Sequence, residues 1–161
     1  MRYLDYELRE MTEKDLPMVM EIERRCFIHP WAEKDFMYEM TGNKFANTWV
    51  LELSNPSLGL KHVCGFVDWW ITFDTGTICQ IAVHPDIQRE GLGSMMMKEV
   101  LKEAKIKKVT SLTLEVRKSN EKAINFYKKF GFEVSHTKEG YYDNGEDALY
   151  MIWEDEEWQR S

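Results

Sequence analysis

The chain contains few cysteines, no long apolar segment and no excess of positive charge. Its 161 residues include three cysteines, at positions 26, 64 and 79, an odd set without Cys-x-x-Cys spacing. This set indicates neither a disulfide framework nor a zinc site. The first residues carry charges where a signal peptide needs an apolar region, so we expect a protein of the reducing cytoplasm.

Metal, membrane and nucleic-acid partners are disfavoured for separate reasons. The four histidines show no metal-ligand spacing, so no metal is expected. No apolar run reaches the length that crosses a bilayer. The formal charge of −7 argues against direct binding to a phosphate backbone and favours a cationic partner.

The composition is that of an ordinary globular protein. Hydrophobic residues make up 43% of the chain and aromatic residues 13%, which suffices for a core in a chain of this length. The sequence contains neither an internal repeat nor a low-complexity segment. We therefore expect a single domain over residues 1–161.

The most informative segment reads as a strand, a glycine-bearing turn and a helix. The apolar run Ile78–Val83 ends before Pro85, and Gly91 and Gly93 follow at the start of a helical pattern. Glycines allow a ligand to approach the backbone, and a helix N-terminus presents unpaired N–H groups and the positive dipole end. The segment therefore predicts an anion site. Met96 stands where a Rossmann fingerprint needs glycine, and the Gly-Lys-Ser/Thr of a P-loop is absent.

Hydrophobic periodicity predicts seven strands and four helices. Alternating or apolar runs indicate strands, and apolar residues at spacings of three and four indicate helices. Asp74–Gly76 is predicted as a turn. The predicted strands are 6–11, 48–53, 62–73, 78–83, 111–116, 132–137 and 148–153, and the predicted helices begin at 12, before 36, after 93 and at 119 or 120. This order predicts an α/β (mixed α+β) fold, with a mixed, mostly antiparallel central sheet and helices on both faces.

The turn and the order of elements together resemble one family. Gln88-x-x-Gly91-x-Gly93 is similar to the acyl-CoA pyrophosphate loop of the GNAT N-acetyltransferases, and the element order resembles the GNAT fold along nearly the whole chain. Four further segments resemble the RimI-type members, which acetylate the N-terminal amine of proteins. These segments are Pro30-Trp31, Leu114–Asn120, Ala123–Phe132, and Tyr141-Tyr142 with Glu146–Ala148.

The resemblance implies acetyl-CoA as co-substrate. Glu90 places an acid inside the phosphate turn, which Arg89 can offset. Asn120 is similar to the asparagine that holds the pantetheine arm, although the same residue also suits a helix cap. The cofactor-binding residues implied are Ile81, Ala82, Val83, Gln88, Arg89, Glu90, Gly91, Leu92, Gly93, Ser94, Asn120 and Tyr127.

Two side chains are candidates for the chemistry. An α-amine has a pKa of about 8 and must lose a proton before it attacks a thioester. The resemblance implies Glu115 as the base, directly or through water, whereas a solvated glutamate on a half-exposed strand is the alternative. Tyr127 is the candidate acid for the leaving thiolate, and its alternative is a core tyrosine on an apolar helical stripe. Backbone N–H groups of Ile81–Val83 are the candidate oxyanion donors for direct attack in a ternary complex.

The acceptor is implied to be a protein or peptide N-terminus. Trp31, Tyr141 and Tyr142 are the candidate substrate-binding residues, and the two tyrosines alternatively anchor a turn. Ala32 departs from the family, which has a hydroxyl cap there. The resemblance implies the N-terminal alanine of a small-subunit ribosomal protein. Another amine (a polyamine, an aminoglycoside or a lysine side chain) and a non-catalytic acyl-CoA-binding module remain open, as do the oligomeric state and the order of substrate binding.

Overall fold

The computed structural model describes residues 5–87 and 91–156. Within those ranges it contains seven strands and four α-helices, with short 3₁₀ turns at Glu13–Asp15, Pro56–Leu58 and Pro85–Ile87. The elements are β1 Asp5–Glu10, α1 Leu16–Cys26, α2 Glu33–Thr41, β2 Ala46–Asn55, β3 Leu60–Thr72, β4 Thr75–Val83, α3 Leu92–Ile106, β5 Ser111–Arg117, α4 Glu121–Lys129, β6 Glu133–Lys138 and β7 Ala148–Glu154. The predicted element order is confirmed.

The strands form one sheet in the order β1-β2-β3-β4-β5-β7-β6. β1 and β2, β2 and β3, β5 and β7, and β6 and β7 are antiparallel pairs. β4 and β5 are parallel and pair from Thr75 to Thr77 against Ser111 to Thr113. The sheet is therefore mixed and mostly antiparallel, as predicted. The chain divides into two compact units, one of Met1–Trp70 with Gln80–Val100 and one of Ile71–Cys79 with Leu101–Ser161.

Helices cover both faces of the strands in the first unit. Alternation along β2 places Val50 on one face and its neighbour Leu51 on the other. The first face packs against α1 and α2 through Met11, Leu16, Val19, Ile22, Phe36, Val50, Val63, Phe66 and Ala82. The second packs against α3 through Leu51, Leu53, Cys64, Leu92 and Met96.

The chain enters α1 and α2 through local acidic caps. Asp15 accepts the backbone N–H of Thr12 at 2.8 Å and pairs with Arg9 at 2.8 Å, so the chain makes a 3₁₀ turn before α1 begins at Leu16. The predicted start at Thr12 is therefore a cap rather than α-helix. Asp35 likewise accepts the backbone N–H of Ala32 at 2.8 Å and caps α2 although position 32 lacks a hydroxyl.

A buried pair of acids lies in the first unit between α2 and β3. Asp68 is fully buried, and neither carboxyl oxygen has a hydrogen-bond partner within the described ranges. The Glu39 carboxylate accepts the indole N–H of Trp70 at 2.6 Å and the Asn43 amide at 2.7 Å. Burial first, and the neighbouring Glu39 second, raise the pKa of Asp68 to about 9. Asp68 therefore carries a proton at neutral pH, which avoids a second buried negative charge beside Glu39.

The second unit contains the alternating strand that the sequence predicted. Leu112, Leu114 and Val116 are buried on one face of β5, which places Glu115 on the opposite face. Register across the sheet sets Glu115 opposite Tyr150 on β7, and Tyr150 opposite His136 on β6. These three side chains therefore share one face.

The predicted turn at Asp74–Gly76 is confirmed only at Asp74. The chain reverses at Phe73 and Asp74, and Gly76 already lies in β4, paired with Leu112. Phe73 takes the left-handed conformation at φ 57° and is 97% exposed. Turn propensity favoured the glycine, but the pairing of β4 with β5 requires an extended backbone at Gly76. Across the described ranges, no helix combines the length and apolar composition needed to cross a membrane.

Candidate active site

In the first unit, the predicted phosphate turn leads into the N-terminus of α3. Gln88, Arg89 and Glu90 lie outside the described residues. Gly91 has φ 97°, a conformation that strains any residue with a Cβ, and its carbonyl accepts the N–H of Met95 at 2.8 Å. The first-turn amides of α3, at Leu92, Gly93 and Ser94, have no acceptor within their own helix. This is the backbone arrangement that binds anions.

The end of β4 lies against β3 at a close backbone approach. A Cβ added to Gly65 would lie 2.8 Å from the carbonyl oxygen of Ala82 and 3.1 Å from Cε of Met96. The Met96 side chain can move, but the Ala82 carbonyl belongs to the strand itself. Gly65 therefore holds β4 close to β3 along Ile81–Val83, the residues predicted to contact the cofactor.

Replacement of Gly65 by alanine is expected to displace β4 at Ala82. The overpacking costs about 1–3 kcal/mol of unfolding free energy, and we expect at least tenfold weaker binding of acetyl-CoA because the strand carries the predicted contacts. Thermal unfolding and calorimetric titration with acetyl-CoA measure the two effects. Wild-type acetyl-CoA affinity in the folded variant would contradict the role given to this strand.

Trp31 is fixed by packing of its ring and by a hydrogen bond from its backbone N–H. The ring packs on Phe36 at a centroid distance of 5.2 Å, and the backbone N–H donates to Oε2 of Glu23 at 3.3 Å. The same oxygen accepts Nε2 of Gln80 at 2.9 Å. Glu23 is fully buried, and burial raises its pKa to about 7. Glu23 therefore links the loop before α2 to β4.

Sequence reasoning missed Glu23 and Gln80. A signal was present, since Glu23 lies four residues after Val19 on the apolar stripe of α1 and should therefore be buried. A buried acid needs donors. Which donors it would meet could not be read from the sequence, because Gln80 is 57 residues away.

In the second unit, Glu115 is a half-buried, partnered carboxylate. Its Oε1 accepts Nζ of Lys138 at 2.6 Å. The Tyr141 phenol lies close to Glu115, and this carboxylate is the main reason that the pKa of Tyr141 rises to about 12. The carboxylate is thus held by β6 through Lys138, beside the loop that follows β6, and does not point freely into solvent.

Tyr141 and Tyr142 lie in the loop between β6 and β7. Their rings meet edge to face at 5.1 Å. The Arg117 guanidinium lies 3.9 Å from the Tyr142 ring centroid and donates to Glu146 at 3.1 Å. Glu146 in turn accepts the backbone N–H of Ser119 at 2.9 Å. Tyr142 is therefore an anchored residue, whereas Tyr141 remains half exposed beside Glu115.

Tyr127 lies on α4 and is half-buried. Its ring packs against Phe126 and Phe132, at centroid distances of 5.5 Å and 5.9 Å. Burial first, with a contribution from Tyr142, raises the pKa of Tyr127 to about 12. The phenol is therefore protonated at neutral pH and can serve as a proton donor. Both descriptions of Tyr127, packed residue and proton donor, are compatible with this position.

Asn120 is the N-cap of α4. Its side-chain oxygen accepts the N–H of Ala123 at 3.1 Å, as the capping alternative predicted. At the other end of the helix, Gly131 has φ 97° and completes the predicted exit. The pantetheine role of Asn120 stays a prediction.

Lys138, Arg117 and Glu146 were not singled out in the sequence as site residues. Lys138 lies on β6, and Arg117 lies two residues after Glu115 on β5. Alternation was enough to place Arg117 on the same face as Glu115. Only the sheet order β5-β7-β6 brings Lys138 across β7 to the carboxylate.

Comparison with known proteins identifies the family. Residues 16–132 match the acetyltransferase (GNAT) family. The [ribosomal protein bS18]-alanine N-acetyltransferase of Escherichia coli strain K12 is 34% identical over 147 residues, which are 89% of this chain and 94% of the relative. The Salmonella typhimurium enzyme of the same name is 34% identical over 144 residues, with 88% and 92% covered.

A solved structure agrees with the sequence matches. The crystal structure of the ribosomal-protein-S18-alanine N-acetyltransferase from Escherichia coli superposes with a TM-score of 0.80 at 30% identity and covers 93% of this chain and 94% of its own. The family match, the two sequence relatives and this structure confirm the resemblance seen in the motifs. The chain belongs to the acetyltransferase (GNAT) family and is an N-acetyltransferase.

Proposed function

We propose that this protein transfers the acetyl group of acetyl-CoA to the N-terminal α-amine of a protein, the N-terminal alanine of a small-subunit ribosomal protein. The relatives named for this activity cover nearly the whole chain at 34% identity. The structural observation that supports it best is the half-buried Glu115 carboxylate, which is paired with Lys138 and lies close to Tyr141. A ribosomal substrate agrees with a cytoplasmic location.

The pyrophosphate of the donor is proposed to bind through backbone groups of the first unit. The first-turn amides of α3 suit a pyrophosphate because they combine unpaired N–H groups with the positive end of the helix dipole. Gly91 permits the turn that presents them. The residues proposed to bind acetyl-CoA are Ile81, Ala82, Val83, Gln88, Arg89, Glu90, Gly91, Leu92, Gly93, Ser94, Asn120 and Tyr127.

The reaction proposed needs one base and one acid. Glu115 accepts a proton from the acceptor ammonium, directly or through water, and the neutral amine attacks the thioester carbonyl. Backbone N–H groups of Ile81–Val83 stabilise the oxyanion. Tyr127, protonated at neutral pH, donates to the departing thiolate, whose pKa is about 8.5. The acetyl group passes directly to the amine, so no acetyl-enzyme forms.

The acceptor site is proposed to include Trp31, Tyr141 and Tyr142. Trp31 is fixed by Phe36 and Glu23. Tyr141 is half exposed beside the proposed base, a position that suits contact with the first residue of a peptide. The net charge of −7 favours a basic peptide as acceptor.

A peptide panel tests this proposal. The protein is incubated with acetyl-CoA and short peptides that differ only in residue one, and release of the free CoA thiol is followed. We expect kcat/KM to be at least tenfold higher for alanine than for glutamate or lysine at residue one, and no thiol release for an N-terminally blocked peptide that contains lysine. Faster turnover of the blocked peptide or of a polyamine would assign a different acceptor, and no thiol release with any amine would indicate a binding module.

A further inference from the structure

The Glu115 carboxylate lies in a small cluster with an internal ammonium group. We call Glu115, Lys138, Tyr141 and Tyr150 the Glu115 cluster. Lys138 Nζ is 2.6 Å from Glu115 Oε1, 5.3 Å from the Tyr141 ring centroid and 4.9 Å from the Tyr150 ring centroid. A carboxylate and two aromatic rings are the groups that bind ammonium ions. Here a lysine of the chain itself occupies that position.

This arrangement has a consequence for the charge that an acceptor meets. A lone carboxylate within about 4–6 Å of an amine favours its charged form and raises its pKa by about 1–3 units. An acceptor held in this way would bind tightly as ammonium but would be slow to become a nucleophile. The Lys138 charge beside Glu115 makes the pair electrically neutral and removes most of this stabilisation.

We propose that Lys138 is a positioning residue that compensates the charge of Glu115, so that the acceptor α-amine can lose its proton near neutral pH. The proposal rests on the proposed function, in which Glu115 is the base. It assigns Lys138 no contact with the reacting atoms. Its effect passes through the orientation and charge of Glu115.

Other titratable groups lie near the pair and must be separated from it. On the same face, His136 of β6 stacks on Tyr150 of β7 at 4.7 Å. Arg117 of β5 is paired with Glu146, so its charge is already compensated. Among the described residues of the second unit, Glu115, Tyr141 and Tyr150 contact Lys138 itself. The titratable and charged groups one contact further away are Arg117, His136, Tyr142 and Glu146.

The test compares Lys138→Met with Lys138→Arg. Steady-state kinetics with the alanine-first peptide are measured from pH 6 to pH 10. For Lys138→Met we expect KM at pH 7 to fall several-fold, kcat at pH 7 to fall about tenfold, and the acidic limb of the kcat profile to move up by about one pH unit. At pH values above the acidic limb, kcat of Lys138→Met should return toward the wild-type value. Lys138→Arg keeps the charge and should keep the wild-type profile.

Three controls distinguish charge compensation by Lys138 from a purely structural role of this residue. Lys102→Met makes the same charge change at an exposed position of α3 and should leave kcat, KM and the profile unchanged. His136→Gln should leave the acidic limb in place, because that limb does not arise from the imidazole. In the Glu115→Gln background, Lys138→Met should no longer tighten peptide binding, measured by calorimetry with CoA present.

The outcomes distinguish a failure of the Lys138 role from a failure of the proposed function, in which Glu115 is the base. If kcat of Lys138→Met falls equally at every pH, or if Lys138→Arg fails to restore the profile, Lys138 has only a structural role and the inference is overturned. If Glu115→Gln is inactive while Lys138→Met matches the wild type, the base assignment stands and the Lys138 role alone fails. If Glu115→Gln retains full turnover, both fail.

Discussion

Replacement of Glu115 by glutamine is expected to lower kcat/KM for the alanine-first peptide by about 10²–10⁴-fold near neutral pH, the usual contribution of a positioned general base. Glutamine keeps the shape of the side chain and its amide oxygen can still accept a hydrogen bond from Lys138, so the fold should survive. It cannot take a proton from the acceptor. Acetyl-CoA affinity, measured by calorimetry, should stay within about twofold, because the cofactor is proposed to bind through other residues.

Two companion variants make this result specific. Tyr127→Phe removes the proposed proton donor but leaves its packing against Phe126 and Phe132, and it should lower kcat with little change in KM. Glu133→Gln makes the same chemical change as Glu115→Gln at an exposed position of β6 and should have wild-type kinetics. If Glu115→Gln and Tyr127→Phe both bind acetyl-CoA and keep full turnover, the catalytic roles assigned here are wrong.

Replacement of Asp68 by asparagine is expected to stabilise the protein above neutral pH. The pKa of Asp68 is raised from 3.8 to about 9 in the folded state, so folding above pH 4 requires uptake of a proton. The contribution of Asp68 to the free energy of unfolding is fully present below pH 4. It decreases by about 1.4 kcal/mol per pH unit as the pH rises to about 9. Asparagine avoids this loss and can donate its amide to Glu39.

The comparison must be made across pH. We expect Asp68→Asn to be more stable than the wild type by a few kcal/mol at pH 8, and equal or slightly less stable at pH 4, where the second amide hydrogen lacks an acceptor. Chemical unfolding at each pH gives the difference in the free energy of unfolding between the two proteins. The titration of all other groups is the same in both and cancels from this difference. Asp74→Asn, at the exposed β3–β4 turn, is the matched control. Parallel stability curves for the wild type and Asp68→Asn would show that Asp68 is ionised in the folded protein.

Local patterns predicted local structure well. The alternation of Ser111–Val116 predicted β5, and Asn120 and Gly131 marked the two ends of α4, because caps and strand faces depend on residues within a few positions of one another. The position predicted for the Asp74–Gly76 turn was inaccurate because it depends on residues far away in the chain. Whether the chain reverses at Gly76 or two residues earlier is decided by pairing with β5, which lies more than thirty residues away.

Buried charges were less accessible from sequence. Asp68 lies in a run of apolar residues, and burial is the larger cause of its raised pKa, but the second cause, Glu39, lies twenty-nine positions earlier in the chain. Glu23 shows the same limit, since its partner Gln80 lies on another element. Burial can be read from periodicity, but the protonation state of a buried acid depends on which groups the fold brings beside it.

The sequence by itself determined the family, the order of strands and helices, and the candidate residues Glu115, Tyr127 and Gly91, because motifs and periodicities are properties of contiguous residues. Only the tertiary structure decided that Glu115 is paired with Lys138 and lies close to Tyr141 rather than being solvated. The physical reason is distance along the chain. Lys138 reaches Glu115 across β7 through the sheet order, and the energy of an ion pair depends on the separation of its charges in space.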